Sequence, residues 1–233
     1  MNFNPRNLAI IGVSGAIGHG FKLLLQKRYP DATLFAFSQC SHNLINYSDE
    51  ASLAAAAELS AQSEPLDLVI VANGMLHNVD IMPEKSLKDL SAAKFQHLFQ
   101  VNIITPALIA KYFLPKLNST NRSIFAALSA RVGSISDNKL GGWYAYRASK
   151  AALNMMIKNA SIEIARKNKN AIIVGLHPGT VDSDLSRPFQ RNVAADKLFT
   201  PEYAVQKLLE VLENLTPSET GKCFAWDGSE ILP

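Results

Sequence analysis

The sequence predicts an α/β fold that is built on a parallel sheet, and three patterns in its 233 residues lead to this class. Short, nearly continuous apolar runs alternate with longer amphipathic segments, as expected for strands that helices cover on both faces. A glycine-rich turn joins the first apolar run to the first helical segment. No run of Gly, Pro or Ser divides the chain, so we expect a single domain spanning residues 1–233.

Apolar periodicity places the elements along the chain. We expect strands at residues 8–13, 33–38, 43–47, 66–72, 123–130, 171–176 and 221–226. We expect helices at residues 19–28, 49–60, 91–117, 144–167 and 200–215. Ser48 is a suitable N-cap for the second helix. The strand at 43–47 follows its predecessor so closely that no crossover helix fits between them, so one helix of a regular doubly wound sheet should be missing.

Composition argues against several classes of protein. The net charge is only +3 and the basic residues are scattered, which gives no electrostatic case for nucleic acid or an anionic membrane. Cys40 and Cys223 form no CxxC pair, and the five histidines show no metal-ligand spacing, so we expect neither a disulfide framework nor a metal site. We find no signal peptide and no stretch long enough to span a bilayer. A soluble, cytoplasmic protein fits these features best.

The glycine-rich turn has the sequence Gly-Val-Ser-Gly-Ala-Ile-Gly at residues 12–18, between a strand and a helix. Glycines in this position allow a tight turn and let the backbone approach a pyrophosphate at the helix N-terminus. The alternative is a plain strand-to-helix turn. Asn73-Gly74 follows a buried strand at the edge where open α/β sheets bind ligands. Both turns favour nucleotide binding.

The second strand ends in Phe37-Ser38-Gln39-Cys40, where a carboxylate would hold the ribose hydroxyls of NAD. No acidic residue stands there, so a 2′-phosphate is better tolerated and NADP is favoured, with NAD as the alternative.

Tyr146 and Lys150 lie four residues apart on the helix predicted at 144–167, and therefore share a face. A neighbouring ammonium favours the phenolate and should lower the pKa of Tyr146, which makes this tyrosine a candidate acid/base. The same spacing occurs in two other pairs, Tyr112 with Lys116 and Tyr203 with Lys207. Pro115 interrupts the first pair and the second lies on a charged helix, so neither is expected to be catalytic.

These motifs, in this order, resemble those of the short-chain dehydrogenase/reductase family over essentially the whole chain. The resemblance rests on the glycine turn, Asn73-Gly74, mid-helix Asn102, a serine-bearing strand, the Tyr146–Lys150 pair, and Pro178-Gly179 followed by Ser183. The segments 129–135 and 141–147 and the ending Trp226-Asp227-Gly228 are similar to the branch called C-factor-like.

The resemblance implies a three-layer, Rossmann-type doubly wound sheet and hydride transfer between NADP(H) and a carbonyl or alcohol substrate. Tyr146 would protonate the carbonyl, Lys150 would lower its pKa and hold the nicotinamide ribose, and Asn102 would anchor a water. Asn46 stands where an Asp commonly faces adenine. The cofactor-binding residues would be Gly12, Ser14, Gly15, Ile17, Gly18, Ser38, Asn46, Tyr47, Asn73, Gly74, Pro178, Gly179 and Ser183.

The chain departs from the family pattern at two positions. Ala16 replaces the middle glycine of GxxxGxG, for which Gly15 compensates by giving a GxxGxxG spacing. Counted back from Gly133, the family's substrate-holding serine falls on Ala130. Ser129 is the candidate catalytic serine, although strand alternation would turn it away unless the strand end is irregular, and Ser134 is another substitute.

Two functions follow from these residues. The first is an aldehyde or ketone reductase that uses NADP(H). The alternative is a catalytically weak or inactive dinucleotide-binding protein with a signalling or scaffold role, which Ala16 and Ala130 motivate. A substrate-lid segment is expected near residues 182–200, which are polar and lack a clear period. The family commonly pairs its two long helices across subunits, so we expect a homodimer or homotetramer.

Overall fold

The structure, a computed structural model, describes residues 3–40 and 44–233. Within these residues six parallel strands form one sheet. Their spatial order is Thr33–Phe37 (β2), Asn7–Ile11 (β1), Leu68–Val71 (β3), Ser123–Leu128 (β4), Ala171–His177 (β5) and Cys223–Ala225 (β8). Thr180–Val181 (β6) and Leu198–Phe199 (β7) pair separately at the two ends of the predicted lid segment.

Helices cover both faces of the sheet, as the uninterrupted apolar strands predict. Ala16–Arg28 (α1) and Pro201–Asn214 (α6) pack on one face, where they meet Leu8 and Ile10 of β1. Glu50–Ser60 (α2), Thr105–Phe113 (α4) and Tyr144–Ala165 (α5) pack on the other, where they meet Ala9 and Ile11. Alternate residues of β1 therefore serve two separate cores, and the predicted three-layer architecture is confirmed.

The predicted strand at 43–47 is not formed in its described part. Leu44 makes one parallel bridge to Ser38, residues 45–47 belong to no strand, and Asn43 lies outside the described residues. Leu44 is 69% exposed, whereas Ile45 is buried in the core. Ile45 is therefore buried without a longer run of strand hydrogen bonds. Ser38, Gln39 and Cys40 are not helical, in agreement with the expected absence of a crossover helix at this point.

The helix predicted at 91–117 is interrupted by a wider turn. Ala92–Phe99 (α3) leads into a π-helical turn at Gln100–Ile104, which continues as α4 and ends in a 3₁₀ turn at Leu114–Lys116. By length and composition alone the whole stretch Ala92–Lys116 could cross a membrane, contrary to our expectation for this sequence. Its most apolar window is 44% buried inside the fold, and the core helix of a soluble protein passes the same test of length and composition.

The N-cap of α2 is Asp49 rather than Ser48. The Asp49 carboxylate accepts a hydrogen bond from the Ala51 amide at 3.0 Å, whereas Ser48 uses only its backbone amide, which donates to Asn46. Both residue types cap helices well, and the helix simply begins one residue later than the polar pattern suggests.

This assignment predicts a difference between two neighbouring substitutions. Asp49→Ala should lower the free energy of unfolding by about 1 kcal/mol, because the Ala51 amide loses its partner. Ser48→Ala should change it by less than about 0.5 kcal/mol, since no cap is lost. Urea denaturation of both variants measures the two values, and equal losses would contradict the assignment.

Candidate active site

The glycine turn after β1 is held by close backbone packing. Gly12 has a φ of +96°, and a Cβ built there would lie 2.8 Å from the Asn73 amide nitrogen. A Cβ at Gly18 would lie 2.2 Å from the Gly12 carbonyl oxygen. Neither position accepts a side chain without moving backbone, so both glycines are needed to bring α1 and the Asn73 turn together.

The turn presents a helix N-terminus that suits an anionic group. Gly15 is the N-cap of α1, offers no side-chain cap, and has an ordinary φ of −82°. The first turn of α1 carries no acidic residue that would repel a phosphate. Ala16 begins the helix without a positive φ, so the backbone conformation itself does not require glycine there. These features fit a dinucleotide pyrophosphate.

Asn102 lies in the π turn and connects three elements. Its side chain is fully buried, accepts a hydrogen bond from the Met75 amide at 2.8 Å, and donates to the Met75 carbonyl at 2.8 Å and to Ser149 Oγ at 3.1 Å. Beside it, Asn73 donates to the Val101 carbonyl at 2.9 Å. The π turn is therefore tied to the loop after β3 and to α5.

Tyr146 and Lys150 are both buried on the inner face of α5, at 8% and 2% exposure. The Lys150 ammonium lies 5.9 Å from the centre of the Tyr146 ring and donates to the Leu128 carbonyl at 2.8 Å. A Cβ at Gly74 would lie 3.4 Å from Lys150 Nζ and 3.6 Å from Asn102 Oδ1. The fold thus brings the Asn73-Gly74 turn, Asn102 and the tyrosine–lysine pair into one site.

The two other tyrosine–lysine pairs form no such site. Tyr112 donates to Glu50, and Lys116 pairs with Glu58. Lys207 pairs with Glu210 on the surface of α6.

Burial dominates the proton equilibria of the pair. Burial raises the pKa of Tyr146 to about 12, and it lowers the pKa of Lys150 to about 8. The sequence-based expectation that Lys150 lowers the pKa of Tyr146 is therefore not met in this structure. Burial is the cause of the raised pKa of Tyr146, and the Lys150 ammonium donates to the Leu128 carbonyl.

Ala130 and the two candidate serines, Ser129 and Ser134, lie in three different environments. Ala130 packs directly in the apolar cluster that contains Tyr146 and Leu76. Ser129 lines the cleft, but its hydroxyl donates to Asn154 Oδ1 at 2.6 Å. Ser134 is buried in the following loop, where it accepts from the Asp137 amide at 3.1 Å. A catalytic role for Ser129 stays a prediction, and its hydroxyl is already engaged.

One cleft of about 540 Å³ collects most of the predicted cofactor residues. Those that line it are Ser14, Gly15, Ile17, Asn73, Gly74, Pro178, Gly179 and Ser183. Gly12 and Gly18 do not line the cleft, but their close backbone contacts hold the glycine turn in place. Ser38, Asn46 and Tyr47 lie outside it: Ser38 bridges Leu44, and Asn46 Oδ1 accepts from the Ser48 amide.

Aromatic side chains close the opposite end of the cleft. Trp143 packs edge-on against Tyr146, with their ring centres 6.2 Å apart, and against Phe189, with ring centres 5.0 Å apart. His77 contacts Phe189 at 5.5 Å, and its Nε2 lies 3.1 Å from the Asp184 carbonyl oxygen. The segment that contains Phe189 includes 3₁₀ turns at Arg187–Asn192 and Ala195–Lys197 and lies against the cleft.

Sequence reasoning missed His177 and Glu84. His177 ends β5 and lines the cleft, and its Nδ1 is buried without a hydrogen-bond partner. Burial, with a smaller effect of Arg131, lowers the pKa of His177 to about 4, so the ring is neutral. Glu84 is a buried carboxylate in the segment before α3. The position of His177 at the carboxyl end of a buried strand could have revealed it, whereas no local pattern marks Glu84.

A sequence model described as short chain dehydrogenase matches residues 38–194. The chain belongs to the short-chain dehydrogenase family. Two relatives agree with this assignment. C-signal of Myxococcus xanthus is 32% identical over 146 residues, which cover 63% of this chain and 82% of the relative. The 1-hydroxy-2-glutathionyl-2-methyl-3-butene dehydrogenase of Rhodococcus sp. (strain AD45) is 31% identical over 182 residues, covering 78% and 75%.

Solved structures have the same fold as this short-chain dehydrogenase. The NADPH-bound carbonyl reductase from chicken fatty liver superposes with a TM-score of 0.82 at 24% identity and covers 99% of this chain and 100% of its own. The carbonyl reductase Sniffer of D. melanogaster gives 0.81 at 21% identity, with 98% and 99% covered. The similarity to C-signal confirms the C-factor-like resemblance. As a member of this family, the chain is an NAD(P)-dependent oxidoreductase.

The buried lysine predicts a pH dependence of stability in this short-chain dehydrogenase. The pKa of Lys150 is about 8 in the folded chain, against an ordinary value of 10.5. Between these values the unfolded chain binds more protons than the folded chain, so the contribution of Lys150 makes the free energy of unfolding rise with pH. Lys150→Met should remove that rise. Urea denaturation of both proteins at about pH 8 and pH 10 measures their free energies of unfolding. An equal change with pH in the wild type and in Lys150→Met would contradict the effect of burial on Lys150.

Proposed function

We propose that this chain reduces the carbonyl group of an aldehyde or ketone with NADPH, or runs the reverse oxidation of an alcohol. The observation that carries the proposal is the buried Tyr146–Lys150 pair on one face of α5, inside the cleft that begins at the glycine turn. The family assignment supports the same reaction class, and so does the similarity of the fold to the NADPH-bound carbonyl reductase from chicken.

Tyr146 supplies the proton in this reaction. When bound, NADPH supplies hydride to the carbonyl carbon. Because burial raises the pKa of Tyr146 to about 12, its phenol is protonated near neutral pH and can donate to the carbonyl oxygen. Lys150, whose ammonium lies 5.9 Å from the centre of the Tyr146 ring, is proposed to stabilise the phenolate once the proton has left. Asn102 donates to Ser149, the residue before Lys150 on the helix.

The residues present favour NADP(H) over NAD(H). The glycine turn leaves the N-terminus of α1 open to a pyrophosphate, and β2 runs into Ser38, Gln39 and Cys40 without a carboxylate that would repel a 2′-phosphate. A structural relative from Burkholderia multivorans holds bound NADP. Ser38, Asn46 and Tyr47 are proposed for the adenosine end, beyond the cleft that holds the other predicted residues.

The substrate end of the cleft suits an apolar carbonyl compound. Trp143, Phe189, Leu185 and Val193 line it, and none of them carries a charge. We assign residues 182–200 as the lid within a single domain, because Phe189 packs against Trp143 across the cleft.

We further propose that the protein is cytoplasmic and that it associates with copies of itself. We propose a homodimer or homotetramer, because the outer faces of the two long helices expose large apolar side chains, Ile104, Met155 and Ile162. Neither nucleic acid nor a membrane is proposed as a partner. The comparisons give no support to the alternative of an inactive dinucleotide-binding protein, and Asn102, Tyr146 and Lys150 are all in place.

Replacing one phenol tests the reaction. Tyr146→Phe should lower kcat for NADPH-dependent reduction of a carbonyl probe by at least about a hundredfold, because the proton donor is lost. Tyr144→Phe, two residues earlier and outside the cleft, should leave kcat within about twofold. NADPH consumption with a panel of aryl and alkyl aldehydes and ketones, repeated with NADH, measures both. Unchanged turnover by Tyr146→Phe would exclude the mechanism, and a preference for NADH would exclude the cofactor assignment.

Restoring a hydroxyl tests the effect of Ala130. Ala130→Ser places a donor beside Tyr146, where it can bind the substrate oxygen, so kcat should rise by roughly tenfold or more. Ser129→Ala should change kcat by less than about threefold if the Ser129 hydroxyl only supports Asn154. Steady-state kinetics on the same probes compare them. A large loss in Ser129→Ala would make Ser129 the catalytic serine.

A further inference from the structure

Glu84 is a buried carboxylate outside the proposed reaction. It is 1% exposed, and no lysine or arginine among the described residues pairs with it. Its Oε2 accepts a hydrogen bond from the Ala145 amide at 3.2 Å, and its backbone carbonyl accepts from the Trp143 amide at 2.6 Å. Its Oε1 is buried without a partner. Burying a carboxylate without a charged partner costs free energy of folding, and the bonds of Glu84 to the start of α5 offset part of that cost.

The start of α5 lacks a cap of its own. Gly141, Gly142 and Trp143 have φ values of 65°, 65° and 50°, so the chain enters the helix through left-handed conformations. Trp143, the only one of the three with a side chain, makes no side-chain cap hydrogen bond. A non-glycine residue in this region is strained and persists only where the surroundings hold it.

Glu84 supplies what this entry lacks. Its carbonyl and its carboxylate bind the amides of residues 143 and 145, on either side of Tyr144. The carboxylate also lies at the positive end of a 22-residue helix, where a negative charge is stabilised. Tyr146 is the next residue after Ala145, and the Trp143 ring packs against Tyr146. Holding these two amides therefore holds the phenol and one wall of the cleft.

We propose that Glu84 is a positioning residue that clamps the first turn of α5 and thereby fixes Tyr146 and Trp143. The clamp itself follows from the hydrogen bonds above; its effect on turnover rests on the proposed reductase function. The carboxylate acts through the helix and touches neither substrate nor cofactor. The amide oxygen of a glutamine can accept the hydrogen bond from the Ala145 amide, so Glu84→Gln should retain the whole clamp. Glu84→Ala should lose the bond to Ala145 and keep only the backbone bond to the Trp143 amide.

Amide hydrogen exchange followed by NMR tests the clamp without any substrate. In Glu84→Ala the Ala145 amide should exchange about tenfold faster than in the wild type, because its carboxylate partner is lost, and in Glu84→Gln within about threefold. The Trp143 amide keeps its backbone partner in both variants. Asp49→Ala is the matched control, because it removes a carboxylate cap from the equivalent amide of α2. It should speed exchange at the start of α2 and leave α5 unchanged. Equal exchange of α5 in the wild type and Glu84→Ala would overturn the proposal.

Kinetics separate positioning from simple loss of stability. Glu84→Ala should lower kcat by roughly tenfold or more with little change in KM for NADPH, since the phenol is displaced and the cofactor turn is untouched. Glu84→Gln should recover most of that kcat, and Asp49→Ala should keep it within about twofold at saturating NADPH. Faster exchange in Glu84→Ala with normal kcat would overturn the link to Tyr146. A wild type without turnover on any carbonyl probe would overturn the reductase function, while exchange would still decide the clamp.

Discussion

The buried amide of Asn102 is the contact on which the site depends. Its three hydrogen bonds join the π turn to the loop after β3 and to α5, so the strand that leads to Asn73 and the helix that carries Tyr146 cannot shift independently. A buried amide with its partners in place is stable, and removing it would leave the Met75 amide and carbonyl unpaired. The π turn accompanies this arrangement, as such turns often do at functional sites.

A second constraint comes from close contacts between backbones. A Cβ at Gly133 would lie 2.8 Å from the backbone carbon of Lys150, so the loop after β4 can approach α5 only with glycine at this position. Gly12 and Gly18 impose the same condition on α1. These contacts determine where Lys150 and the open N-terminus of α1 lie relative to each other, and they leave little freedom for the cleft between them.

The order and type of the elements could be predicted because parallel strands covered on both faces appear as apolar runs. The tyrosine–lysine pair could be predicted from helical spacing, and its neighbours along the chain distinguished it from the pairs that begin at Tyr112 and Tyr203. The catalytic roles and the cofactor roles of individual residues remain predictions, although the cleft brings many of these residues together. The strand predicted at 123–130 ends at Leu128, so strand alternation does not apply to Ser129 and Ala130, and both residues line the cleft.

Other features depend on tertiary contacts that have no local signature. The apolar spacing of residues 91–117 continues through the π turn, so nothing in it marks Gln100–Ile104. The proton equilibria of Tyr146 and Lys150 depend on how deeply both are buried, which spacing does not reveal. Glu84 lies in a segment without periodicity and reaches α5 across 61 positions of sequence. The strand expected at 43–47 was wrong because Ile45 enters the core from irregular backbone, which an apolar pattern alone does not distinguish from a strand.

Some polar side chains of the cleft are hydrogen-bonded to other residues of the protein, and others are not. Asn102 and Ser149 bind each other, and the Ser129 hydroxyl is bound to Asn154. His177 Nδ1 is buried without a partner, and the Lys150 ammonium donates to the Leu128 carbonyl. The proposed mechanism uses the Tyr146 phenol as proton donor, because burial keeps it protonated near neutral pH. On the proposed mechanism, Ala130 gives the substrate oxygen one donor fewer than the family pattern implies. On the proposed mechanism, the rate depends on how firmly the first turn of α5 holds Tyr146.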